Sequence, residues 1–226
     1  MKKTIAVVIA VTTLFFYGVT NSMAEWTAGI SVSHGEYSAS GQENRNGSIT
    51  HANDMAAKEV TYPTIFFEKA FDYASVGISI IPATQESEEA SRTDYNCTAG
   101  IALHCTGNDG STGSVTNTAK VQLSQHVTLY TIVPIMAGAF ARAGIQTVLV
   151  ETDETLNTGS KYDDKRIVGG TIGLGYQHDT GGGFVRIEAG YSRYNTLELT
   201  STTNSKNKVT ADLDGSFGRL SIGRSF

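Results

Sequence analysis

Val185-Arg186-Ile187-Glu188-Ala189-Gly190-Tyr191-Ser192 alternates without a break. Apolar Val185, Ile187, Ala189 and Tyr191 interleave with Arg186, Glu188, Gly190 and Ser192. A period of two puts the sets on opposite faces of an extended strand. The second face mixes opposite charges with small residues. That mixture suits a narrow lumen closed by ion pairs better than a water-facing shell, which would carry more Lys and Glu.

The same period recurs on both sides of this stretch. Trp26, Ala28, Ile30 and Val32 alternate with Thr27, Gly29, Ser31 and Ser33. Val76, Ile78 and Ile80 do so with Gly77 and Ser79, and Ala119, Val121 and Leu123 with Lys120, Gln122 and Ser124. Ala141, Ala143 and Ile145 alternate with Arg142 and Gly144, and Ile172, Leu174 and Tyr176 with Gly173 and Gly175. Residues 59–69 and 208–226 complete eight segments. Short links are predicted at 70–73, 134–137 and 179–182, and long polar ones at 40–56, 85–116, 152–165 and 200–207. Short turns at one end and long loops at the other are the pattern of an outer-membrane barrel. The expected fold is all-β: an eight-stranded antiparallel up-and-down transmembrane β-barrel.

A soluble barrel would turn its apolar face inward, whereas a membrane barrel turns it outward. Aromatic residues decide for the second. Trp26, Phe71, Tyr73, Tyr130, Phe140, Tyr176, Phe184 and Phe226 gather beside the short links, where a membrane–water girdle is expected. The luminal charges are then Glu68, Lys120, Arg142, Arg186 and Glu188. They are read as a structural plug, because side chains just fill an eight-stranded interior. A narrow pore is the alternative.

The first 24 residues read as an export signal. Lys2 and Lys3 precede the apolar run 5–17, and Ser22-Met23-Ala24 offers a cleavage site. Thirteen helical residues rise about 20 Å, short of the roughly 30 Å hydrocarbon core. Residues 25–226 then form one barrel domain. Overall 17 basic residues face 22 acidic ones, and with no basic cluster past Lys3 nucleic-acid binding is not expected.

Cys97 and Cys105 stand in the longest loop with seven residues between them, and export makes a disulfide the natural reading. Free thiols or a metal site with His104 are the alternatives, but two Cys and one His are too few to close a zinc site. Ser124 and His126 share one face of a regular strand and are candidates for a nucleophile–base pair. That face points into the lumen, away from lipid, so no catalysis is expected. The acidic loop residues Glu86, Glu88, Glu89 and Asp94 have no calcium-loop spacing. No cofactor or metal is expected. Pro63 should cause a bulge or a pairing gap, and Gln125, Asp212 and Asp214 disturb the register of their strands.

The signal segment, the eight alternating segments and the ending Leu220-Ser221-Ile222-Gly223-Arg224-Ser225-Phe226 resemble the small outer-membrane β-barrels of Gram-negative bacteria. The nearest group is the opacity-protein and OmpA-like transmembrane domain family. The resemblance covers the mature chain by pattern. It implies an outer-membrane location with periplasmic termini, contact with outer-membrane lipids and lipopolysaccharide, and an extracellular ligand met through the loops. It also implies that Leu220, Ile222 and Phe226 form a signal for the barrel assembly machinery. Arg224 departs from the aromatic residue usual at its position. The implied function is structural or surface-interactive. A narrow pore or a lipid-modifying enzyme stands as the alternative.

Overall fold

The computed structural model describes residues 26–45, 47–95, 114–156 and 159–226. The export segment, Cys97, His104 and Cys105 lie outside the described residues. Eleven strands follow in order: β1 (Trp26–Arg45), β2 (Ser48–Ala70), β3 (Ser75–Ile81), β4 (Gln85–Glu86), β5 (Ala90–Tyr95), β6 (Ser114–Met136), β7 (Ala139–Thr155), β8 (Lys165–Asp179), β9 (Gly183–Tyr194), β10 (Leu197–Thr200) and β11 (Lys208–Ser225). Sequential strands pair antiparallel, and β11 returns to β1 with Ile222 opposite Ile30. β4 and β5 extend the line of β3 along β6, and β10 extends that of β9 along β11. The eleven strands therefore make an eight-stave, up-and-down barrel, closed by the pairing of β11 with β1.

At the short-turn end the links are tight. Phe71 N–H donates to the Ala74 carbonyl at 2.8 Å, and Thr180 N–H to that of Gly183 at 2.7 Å. The turn between β6 and β7 needs positive φ at Ala137 (40°) and Gly138 (88°). At the other end the predicted loop 40–56 is strand. β1 and β2 continue as a hairpin to Arg45 opposite Ser48, with register shifts between Gly41 and Asn44. The predicted loop 85–116 likewise contains β4, β5 and the start of β6. Polar residues on both faces look like loop in sequence, yet above a membrane both faces of a hairpin can be wet.

Along most of the wall the apolar face points out. Val32, Ile78, Leu129, Ile145, Ile172, Leu174, Ile187 and Leu220 are exposed, while Ser31, Thr64, Thr128, Arg142, Thr171 and Ser192 are buried in the lumen. Toward the long-loop end the polarity reverses. Val148, Val150, Ile167 and Tyr194 are buried together, with Leu123, Leu197 and Leu213 packed against them, whereas Asp153, Glu198 and Asp212 face outward.

Pro63 sits in register with Val32 of β1, without a bulge. The predicted gap lies on its other edge, where pairing of β2 with β3 stops at Ile65 opposite Ile80. The irregularity near Gln125 is a bulge: its φ is 49°, and the β6–β7 register shifts between Ser124 and Val127.

Candidate functional site

Parity builds the luminal cluster. Glu68 on β2, Arg142 on β7 and Arg186 and Glu188 on β9 fall on inward positions, and all four are buried. Arg186 grips Glu68 with two hydrogen bonds, Nη1 to Oε1 at 2.7 Å and Nη2 to Oε2 at 3.0 Å. The Tyr130 hydroxyl donates to the same Oε1 at 2.8 Å. Arg186 Nη2 also donates to Gln177 Oε1 at 2.7 Å. Arg142 donates to Glu188 Oε2 at 3.1 Å, and Arg219 pairs with that oxygen at 3.4 Å. Arg219 Nε further donates to Ser33 Oγ at 2.9 Å.

Aromatic rings wrap these charges. The Arg142 guanidinium lies 3.6 Å from the Tyr130 ring centroid, and that of Arg186 lies 4.6 Å from Phe184 and 5.3 Å from Phe140. Phe66, Tyr130, Ile132, Phe140 and Phe184 form one buried cluster. Two glycines make the space. A Cβ at Gly173 would come within 2.7 Å of Glu188 Oε1, and one at Gly77 would meet the Tyr130 ring at 2.5 Å. Bidentate pairing, hydrogen bonds and cation–π contacts are what charges withdrawn from water require. The ion pairs join β2 to β9 and β7 to β9 at this level of the lumen.

Four of the five predicted luminal charges meet here; Lys120 does not. Its ammonium pairs with Glu86 at 2.5 Å, and the two side chains are 28% and 50% exposed. The bulge at Gln125 shifts the parity of β6 and turns Lys120 to the outer face, in register with Asp153. The same bulge separates Ser124 from His126. Ser124 donates to Glu151 on the outer side, while His126 Nε2 lies 3.0 Å from the Tyr194 hydroxyl, so the two form no nucleophile–base pair.

The girdle also needs correction. Trp26, Phe71, Tyr73, Tyr176 and Phe226 are exposed at the short-turn end, but Tyr130, Phe140 and Phe184 are buried within the lumen. Phe140 and Phe184 stand two positions from Arg142 and Arg186, so their parity already marked them as inward. Sequence reasoning missed Tyr130, Gln177 and Arg219 as partners of the plug. Gln177 has the parity of Gly173 and Gly175, and Arg219 that of Ser221, which was the available signal.

Leu220, Ile222 and Phe226 lie on the outer face. Phe226 and Trp26 exchange backbone hydrogen bonds at 2.9 and 3.3 Å. At the opposite end two loops are tied together. Thr202 N–H donates to the Lys161 carbonyl at 2.8 Å, Asn207 Nδ2 to Ser160 Oγ at 2.9 Å, and Tyr162 bridges to Ser201. Among the described residues no group of three His, Cys, Asp or Glu is placed to hold a metal ion.

No protein-family model matches the chain. No curated protein matches it in sequence. Among solved structures it is similar to Ail, the attachment invasion locus protein of Yersinia pestis, at 12% identity and a TM-score of 0.40, over 87% of this chain and 99% of that one. It is similar to the outer membrane protein OprG of Pseudomonas aeruginosa at 12% identity and a TM-score of 0.44, over 91% and 99%. It is also similar to the outer membrane protease OmpT of Escherichia coli at 9% identity and a TM-score of 0.41, over 92% and 99%.

Proposed function

We propose that the chain is a non-enzymatic barrel of a Gram-negative outer membrane, with its termini and short turns in the periplasm and its long-loop end outside. It strengthens the envelope or meets an extracellular ligand through that end. The observation that carries this reading is the reversed polarity of the wall: exposed Ile145, Ile172 and Ile187 surround buried Arg142, Arg186 and Glu188. Such a wall is stable only with acyl chains outside. The tied loops around Ser160, Tyr162, Ser201 and Asn207 support a role at the outer end, because they hold a polar surface in a fixed shape. Exported barrels of this polarity contact lipids and lipopolysaccharide, and the outward Leu220, Ile222 and Phe226 suit a signal read by the assembly machinery. A disulfide between Cys97 and Cys105 would belong to the same outer end.

Heat-modifiable electrophoretic migration of outer-membrane fractions tests fold and location together, with the heated and unheated forms expected to run apart. Replacing residues 159–164 and 201–207 by short Gly/Ser linkers should preserve that behaviour and abolish binding to any surface ligand. Ligand binding that survives the replacement would count against the loop role. In planar bilayers no conductance is expected from the wild type. Stepwise conductance that rises when Arg142 or Arg186 is neutralised would favour a pore instead.

A further inference from the structure

Between β2 and β3 the wall loses its pairing part-way up. Above Ile65 opposite Ile80, β2 pairs with no strand but β1 among the described residues, while β4 and β5 pair only with β6. Continuing the β2–β3 register by two positions sets Pro63 opposite Pro82. Two prolines at one level remove a ladder donor from each lip. On the far edge of the same stave lies the Gln125 bulge. The one described bridge higher up is Lys58 Nζ donating to the Glu86 carbonyl at 2.8 Å.

Height puts this seam in lipid. Pro63 stands seven residues above Ala70, roughly 18 Å above the short turns at about 3.3 Å per residue and a tilt near 40°. The apolar band of such barrels is about 25 Å tall. The lips below the prolines, Ile65 and Ile80, are exposed and apolar. Just inside, Thr64 is 3% exposed, and its Oγ1 is buried with no hydrogen-bond partner. Ser79 and Thr128 on the neighbouring staves are also neutral, buried and inward. The inward charges Glu68, Arg186, Arg142, Glu188 and Arg219 are already paired with one another. An entering charge of either sign would therefore be desolvated without a free counter-charge. The way downward runs into these same pairs.

We infer that the barrel wall parts between β2 and β3 at Pro63 and Pro82, and that this side port seats a single-chain amphiphile from the surrounding leaflet. The uncharged polar group of that amphiphile hydrogen-bonds Thr64. Its tail lies along Ile65 and Ile80, where the prolines leave no bare N–H facing hydrocarbon.

The test uses the full mature chain in vesicles of phosphatidylethanolamine and phosphatidylglycerol, with a diazirine-bearing dodecanol as probe. Heat-modifiable migration first shows that each variant has inserted as a barrel, which separates failure of the port from failure of the membrane reading. Adducts should concentrate on residues 61–65 and 80–84, and Thr64→Val should lower them about fivefold. In a Cys97→Ser/Cys105→Ser background, Pro63→Cys with Pro82→Cys should block labelling when oxidised and restore it when reduced. Adducts spread evenly over Ile145, Ile172 and Ile187, or labelling indifferent to both Thr64→Val and the oxidised lock, would overturn the proposal. Equal seam labelling by a diazirine-bearing dodecanoate or dodecylamine would overturn the uncharged group.

Discussion

The two ends of this barrel invert one another. Near the short turns the wall is apolar outside and the interior holds Glu68, Arg142, Arg186, Glu188 and Arg219. Near the long loops the interior holds Val148, Val150, Ile167 and Leu213, and the outside carries Asp153, Glu198 and Asp212. Strand β7 shows the change within one element: its inward face runs Arg142, Gly144, Gln146, then Val148 and Val150. The backbone is the same throughout and only the solvent differs. Where lipid surrounds the wall, polar groups must be inside; where water surrounds it, the hydrophobic effect packs the centre as in an ordinary soluble barrel.

That contrast can be broken at either end. The largest effect is expected in the charged half. Glu188→Ala leaves Arg142 and Arg219 without their shared carboxylate and should cost about 3–5 kcal/mol in urea unfolding from vesicles. In the apolar half, Ile167→Ala should cost about 2–4 kcal/mol in the same assay. Equal sensitivity of the two halves to an apolar replacement of Glu188 and a polar replacement of Ile167 would blur the division. The outer surface sharpens it. Ile172→Lys should cost about 2–4 kcal/mol in the lipid-facing belt, whereas Thr155→Lys above it should stay within about 0.5 kcal/mol. The smallest effect belongs to Lys120→Ala, which removes a partly exposed ion pair and should change stability by no more than about 1 kcal/mol, less at high salt.

How much of this was legible in the sequence follows the same division. In the membrane half lipid allows few exceptions to alternation, so Val185 to Ser192 could be read straight into facing, and Arg186 and Glu188 into the plug. The stretch around Gln125 was legible only in part. A polar residue on the apolar face marked a disturbed register, but not that a single positive-φ residue there moves Lys120, Gln122 and Ser124 to the other face. Tyr130, Phe140 and Phe184 were misread because an aromatic beside a turn fits a girdle as well as a lumen, and only their parity tells the two apart. Above the membrane, residues 40–56 lost their strand character in sequence because neither side of that hairpin has to be apolar.

The clasp between Trp26 and Phe226 has a topological corollary. Since the first stave is completed by the last, a chain missing β11 leaves β1 and β9 as two raw edges, so shortening it from that end should yield aggregates rather than smaller cylinders. Conversely, joining Phe226 to Trp26 through a short linker and reopening the chain at the tight hairpin near Gly47 should give a circular permutant that still closes.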